Sequence, residues 1–142
     1  MQAWNDRNIE EFRSNKGKLA SFGDAPLLIL HSIGAKSGSE RLNPMAYLRV
    51  DDDWAVFASR AGTLKNPDWY FNLKAQPDAS IEIGTPTGVE TIAVRAREVV
   101  DAERDEIWNR QKQEAPGFAE YEHQTEGRVI PVLLLSRVAQ TP

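Results

Sequence analysis

The chain contains no cysteine and only two histidines, His31 and His123, among 142 residues. The first absence excludes disulfides, thiolate metal sites and a cysteine nucleophile, and the second leaves too few imidazoles for a histidine-built metal centre. No run approaches the ~20 apolar residues of a membrane-spanning helix. The opening MQAWNDRNIEEFRSNKGK carries acids where a secretion signal would carry an apolar stretch. G-x-S-x-G is also missing, so a hydrolase triad has no nucleophile elbow. An excess of positive charge is lacking too: 17 Lys and Arg face 21 Asp and Glu, a net charge of −4. That is the wrong sign for a protein that must neutralise many nucleic-acid phosphates. These absences lead to the expectation of a cytoplasmic protein without a metal, a transmembrane segment or a nucleic-acid partner.

A chain of this length can bury about 70% of its unfolded surface in one core. One domain over residues 1–142 is therefore expected, with 1–20 forming an N-terminal helix and loop. The charge is unevenly spread. Residues 1–30 are balanced, and 76–142 hold seven basic against twelve acidic residues. The middle stretch, 31–75, has six basic and five acidic residues, and three of those acids are Asp51, Asp52 and Asp53 at one hairpin tip. The rest of that stretch is cationic and is where an anionic ligand is expected.

Trp4, Ile9 and Phe12 form a thin apolar stripe that predicts a helix over 3–15. Its acids offset Arg7 and Arg13, which favours packing against the body over peripheral membrane contact. Leu27–Ile33 is a short apolar run of strand length, closed by the turn-rich Gly34-Ala35-Lys36-Ser37-Gly38. Residues 40–50 and 53–60 predict a hairpin across the Asp cluster, with Pro44 confining its strand to an edge or bulge. Asn66 as N-cap, Pro67 at the first helical position and Asp68 in the first turn predict a helix to about Ala75. A second hairpin joins SIEIG to GVETIAVRAREVV. Asp101 then caps a helix over 102–114, a short helical stretch carries Tyr121, and Ile130–Leu135 forms a last buried strand. About six strands in consecutive hairpins, with three to four inserted helices, predict an α+β split antiparallel barrel of the Greek-key type.

Two Gly-punctuated cationic loops carry the chemistry: Gly34–Gly38 with Arg41, and Arg60-Ala61-Gly62-Thr63-Leu64-Lys65 at a helix start. Glycine permits close backbone approach, loops and helix starts leave N–H donors free, and Lys and Arg fix positive charge. Neither loop is a Walker or dinucleotide motif, and each alone also reads as a solvated turn. Trp69, Tyr70, Phe71, Phe118 and Tyr121 offer a flat aromatic lining, although Trp69 and Tyr70 on a short helix read first as core. His31 closes a buried strand and reads as a structural histidine.

Taken in order, several segments resemble the deazaflavin-dependent nitroreductase family, split-barrel oxidoreductases that use coenzyme F-420. They are Ile9–Arg13, Ala25–Leu28 leading to Gly34–Gly38 and Arg41, Asn43-Pro44 with Tyr47–Arg49, and Ala58–Gly62. Lys65–Tyr70 with Asn72-Leu73, Pro116–Phe118 with Tyr121, and Ile130–Val132 complete the set. The resemblance implies hydride transfer from reduced F-420 to a small-molecule acceptor, a quinone, nitroaromatic or other activated double bond. Alternatives are a non-catalytic F-420 storage protein and an FMN-dependent split-barrel oxidoreductase.

By that likeness Lys36, Ser37, Gly38 and Arg41 receive the cofactor's phosphate or tail carboxylates. Asn43 and Pro44 pack along its ring, and Ser59, Arg60, Ala61, Gly62 and Asn72 hold its phosphate or head group. Lys65 and the helix start at Asn66-Pro67 lie in line to help, on physical grounds more than by the likeness, and Trp69 completes the cofactor set, while Tyr121, Phe118 and Ser59 face the reacting centre. Some members have a Tyr where this chain has Ala115, so fewer hydroxyls are expected near the acceptor.

Overall fold

The computed structural model describes residues 2–19, 26–58, 67–115, 118 and 129–138. Its elements are helix α1 (Gln2–Ser14), strands β1 (Leu27–Ile33), β2 (Glu40–Ala46), β3 (Leu48–Val50) and β4 (Asp53–Phe57), and helix α2 (Asp68–Ala75). Strands β5 (Asp78–Thr85) and β6 (Gly88–Val99), helix α3 (Asp101–Glu114) and strand β7 (Val132–Arg137) follow. The seven strands form one sheet in the order β2-β1-β5-β6-β7-β4-β3, antiparallel at every pairing. The sheet curls until β2 approaches β4 from the far side, giving an open half-barrel.

Strand alternation sorts the core into an inside and an outside. Leu28, Leu30, Trp54, Val56, Ile81, Ile92, Val94, Leu133 and Leu135 fill the barrel, with Trp69 and Leu73 of α2 lowered onto them. Their neighbours along the chain point the other way. Leu27 and Ile29 pack beneath Ile9 and Phe12 of α1, while Ala55, Phe57, Val132 and Leu134 pack beneath Ile107 and Trp108 of α3. Strands β1, β4 and β7 are thus covered on both faces, which is why they read as unbroken apolar runs.

Three expectations shift. The strand expected over 40–50 breaks at Tyr47, whose N–H donates to the Pro26 carbonyl at 3.2 Å. Its first half pairs with β1 and its second with β4, so six strands become seven. Pro44 lies on β2, an edge of the sheet, where a missing N–H interrupts no ladder. Helix α2 starts one residue later than expected: Pro67 is its N-cap, with an extended ψ of 157°. Helix α3 starts one residue earlier. Val100 is its N-cap, and Asp101 enters with a φ of 54°, a left-handed conformation that Asp tolerates better than most residues.

Helix α1 ends in a Schellman turn: the Gly17 N–H donates to the Phe12 carbonyl at 2.8 Å, with Lys16 left-handed at a φ of 58°. This turn lies directly on Gly84 of β5, where an added Cβ would run into the Lys16 carbonyl and come within 2.9 Å of Gly17 Cα. Backbone meets backbone there, so nothing can swing aside. Gly84→Ala is expected to destabilise the protein by about 1–3 kcal/mol, the usual cost of overpacking. Urea denaturation would show it, together with faster amide exchange in α1.

Candidate functional site

Strand β1 runs toward the Gly34–Gly38 loop, and the registers carry that end of the barrel across Ser80 of β5 and Val99 of β6 to Val132 of β7 and Phe57 of β4. The Asp51–Asp53 turn lies at the opposite end. The loop is a closed turn: Gly38 N–H donates to the Gly34 carbonyl at 2.9 Å, and Gly34 N–H to the Ser39 carbonyl at 2.8 Å. Ser37 Oγ accepts the Ser39 N–H at 3.2 Å and a long 3.4 Å bond from Arg41 Nη2. A Cβ on Gly34 would sit 2.6 Å from that hydroxyl, so a side chain there would have to turn the Ser37 hydroxyl aside from these bonds.

Lys36 is exposed at the tip of the loop. Among the described residues, neither Lys36 nor Arg41 is salt-bridged to a carboxylate. Arg41 lies directly across from Ser32, and Asn43 from Leu30, so both residues are on the barrel-facing side of β2. The Ser32 hydroxyl is fully buried there without a hydrogen-bond partner. Pro44 opposes Ile29, on the α1 side of the sheet, and is therefore separated from Arg41 and Asn43 by the backbone.

Helix α2 closes this end of the barrel and is fastened on both flanks. On one, Asn72 Oδ1 accepts the Ala35 N–H at 2.9 Å. On the other, Tyr70 Oη and Lys74 Nζ both donate to Glu98 Oε1 at 2.9 Å. Burial, and then the Glu98 carboxylate, push the Tyr70 hydroxyl above its ordinary pKa, and Glu98 raises that of Lys74.

The sequence-derived set divides accordingly. Lys36, Ser37, Gly38 and Arg41 gather around one loop, with Asn72 behind it; Asn43 lies further along β2 on the same face as Arg41, Pro44 on the opposite face, and Pro67 at the start of α2. Trp69 is 8% exposed and belongs to the barrel core. Phe118 is partly buried, its ring 5.7 Å from Phe57 and 6.0 Å from Trp108, edge-on in both cases. Ser59, Arg60, Ala61, Gly62, Lys65, Asn66 and Tyr121 lie outside the described residues.

One cluster has no counterpart in the sequence reading. Arg13 of α1 grips Glu82 of β5 with two bonds, Nε to Oε1 at 2.8 Å and Nη2 to Oε2 at 2.7 Å. His31 Nε2 donates to Glu82 Oε2 at 2.5 Å, and its Nδ1 faces Glu40 Oε2 at 3.3 Å. The Arg13 guanidinium holds the Glu82 carboxyl below its ordinary range against the opposing effect of burial. His31 is thus partnered on both ring nitrogens, as a structural histidine should be. The sequence signal was thin: a lone Glu within the apolar alternation SIEIG. A cavity of about 370 Å³ at the far end of the barrel is lined by Arg49, Asp52, Asp53, Ser136 and Arg137.

Comparison with known proteins adds a third line. A family model described as F-420H(2)-dependent quinone reductase matches residues 4–137. An F-420H(2)-dependent quinone reductase of Mycobacterium tuberculosis is 33% identical over 129 residues, covering 89% of this chain and 85% of that protein. A solved F-420-H2 dependent reductase superposes with a TM-score of 0.68 at 34% identity, over 78% of this chain and 94% of the other. A structure described as a domain-swapped dimer gives 0.69 at 31% identity, over 95% and 98%. Among the described residues no helix is long and apolar enough to cross a membrane.

Proposed function

Because the chain belongs to the F-420H(2)-dependent quinone reductase family, we propose that it is an oxidoreductase that passes a hydride from reduced coenzyme F-420 to a quinone. The observation that carries the reading is the Gly34–Gly38 loop, which presents Lys36 and Arg41 without carboxylate partners among the described residues, beside a buried Ser32 hydroxyl that lacks one too. The phosphate and glutamate tail that the resemblance gives to F-420 are anionic, and this loop fits them in charge and in donor chemistry.

When bound, the reduced deazaflavin supplies the hydride, so a chain without cysteine needs no redox group of its own. What remains for the protein is to bind, orient and exclude water. Lys36 and Arg41 hold the anionic part, and the closed turn keeps both charges at one end of the barrel. Ser59, Arg60 and Lys65, outside the described residues, are assigned to the same task by the resemblance and, for Arg60 and Lys65, by their charge. A quinone that accepts a hydride also requires a proton, and Tyr121 is assigned to orient the acceptor or supply that proton. Nitroaromatics and other activated double bonds are the further acceptors this site would serve. The protein is read as one cytoplasmic domain acting on small molecules.

Titration of the purified protein with F-420 and with FMN, followed by fluorescence quenching, tests the reading. Binding of F-420 in the micromolar range or tighter is expected, with reduction of menadione by reduced F-420 above the protein-free rate. Binding of FMN with none of F-420 would overturn it.

A further inference from the structure

The Ala35 N–H is not consumed by the turn it belongs to, whose bonds run from Gly38 to Gly34 and from Gly34 to Ser39. It projects out of the loop to Asn72 Oδ1, 2.9 Å away on α2. Asn72 is only 7% exposed, flanked in sequence by a helix that buries Trp69 and Leu73 in the barrel core. Its amide is therefore held on a rigid element, whereas Ala35 through Ser39 are exposed. Within the described structure, this is the side-chain bond that ties the loop to the helix closing the barrel.

We infer that Asn72 is a positioning residue for the cofactor's anionic part: its side-chain oxygen holds Ala35, and through Ala35 it sets where the Lys36 ammonium stands. This rests on the loop being the F-420 anion site, and assigns Asn72 an action through the loop in place of direct contact with the phosphate. An untied five-residue turn samples several placements of Lys36, and only the fraction with the cation in place binds well. The effect therefore falls on cofactor affinity, because the reacting atoms are not touched.

The test separates the acceptor oxygen from the amide as a whole. Asn72→Leu removes the acceptor, Asn72→Asp keeps an oxygen at the same reach, and Ala35→Pro removes the donor at an exposed position that suits proline in a turn. Amide exchange in the cofactor-free protein should accelerate at Ala35 in Asn72→Leu and stay protected in Asn72→Asp. The KM for reduced F-420 should rise about tenfold in Asn72→Leu and in Ala35→Pro, with kcat within about twofold, the loss of one well-made hydrogen bond. The double variant should be no worse than either single one, the mark of a shared interaction.

Should Asn72→Leu fail to fold, Ala35→Pro alone carries the KM comparison. Unchanged Ala35 exchange in Asn72→Leu would overturn the inference. So would a normal KM in Ala35→Pro, or a fall in kcat at unchanged KM. Loss of F-420 binding by the unaltered chain would instead remove the proposed function. Normal binding there, with normal KM in the variants, would remove only the positioning role.

Discussion

Replacing Glu82 with alanine is expected to lower the unfolding free energy by about 2–4 kcal/mol, the range for leaving buried polar groups without their charged partner. The side chain is 5% exposed and joins three elements: α1 through Arg13, β1 through His31, and its own strand β5. Removing it leaves the His31 Nε2–H without its acceptor in a mostly buried position. The loss stays below the maximum for buried pairs because Arg13 is 49% exposed and can turn into water. Glu82→Gln keeps the volume and one acceptor, and should fall between alanine and the unaltered protein. A urea midpoint for Glu82→Ala that implies a change below about 0.5 kcal/mol, as at an ordinary surface position, would show that the cluster contributes nothing.

The same carboxyl gives stability a pH dependence of fixed sign. Its folded pKa is lowered, first by the hydrogen bond from Arg13. The unfolded chain therefore takes up this proton at a higher pH than the folded one, around the ordinary carboxylate value of 4.5. The contribution is fully present above that value and disappears as pH falls through the lowered folded pKa. The stability difference between the unaltered protein and Glu82→Gln should accordingly shrink on acidification below the ordinary value. A difference that grows there would contradict the assignment.

The second large effect concerns affinity. Lys36→Ala combined with Arg41→Ala should weaken F-420 binding by about 100-fold, since each charge-assisted hydrogen bond contributes roughly 1.5–3 kcal/mol in favourable geometry and surface screening reduces that to about tenfold each. Neither side chain is buried in the core, so the urea midpoint should remain within about 0.5 kcal/mol of the unaltered protein. The single variants should each lose about tenfold, and the salt dependence of binding should flatten in the double variant. An unchanged dissociation constant in the double variant would remove the loop from the site.

Much of this architecture was readable along the chain. Leu27–Ile33 and Val132–Leu135 announce strands because both faces of each are buried and no polar residue is needed until the end. Gln76-Pro77 stops α2 where expected. The split of 40–50 at Tyr47 was not readable, because its two halves alternate alike, and only their different partners, β1 and β4, separate them. The starts of α2 and α3 were readable to within one residue. The caps themselves, Pro67 and Val100, make no side-chain cap bond, so the local signal fell on their neighbours Asn66 and Asp101.

The site shows the same division. The cationic residues and glycines of 34–41 were visible as composition within a short segment. Asn72 behind Ala35, and Glu82 between Arg13 and His31, join residues 37, 69 and 51 positions apart, and no local pattern encodes such pairs. That Trp69 packs into the barrel core likewise depends on the sheet that closes beneath it.

The sequence by itself showed no thiol, histidine-built metal site or triad, and the ordered segments that resemble the deazaflavin-dependent family supplied the expectation that a bound cofactor carries the chemistry. It also pointed to the middle third as the place to look for an anionic ligand, because charge and glycine are local properties that survive without a fold. Tertiary structure alone decided which of those cations stay uncommitted, which carboxylates are taken by an arginine, and which amide of the loop is tied down. Those outcomes depend on distances between segments remote in the chain, and only packing of the helices against the curled sheet fixes them.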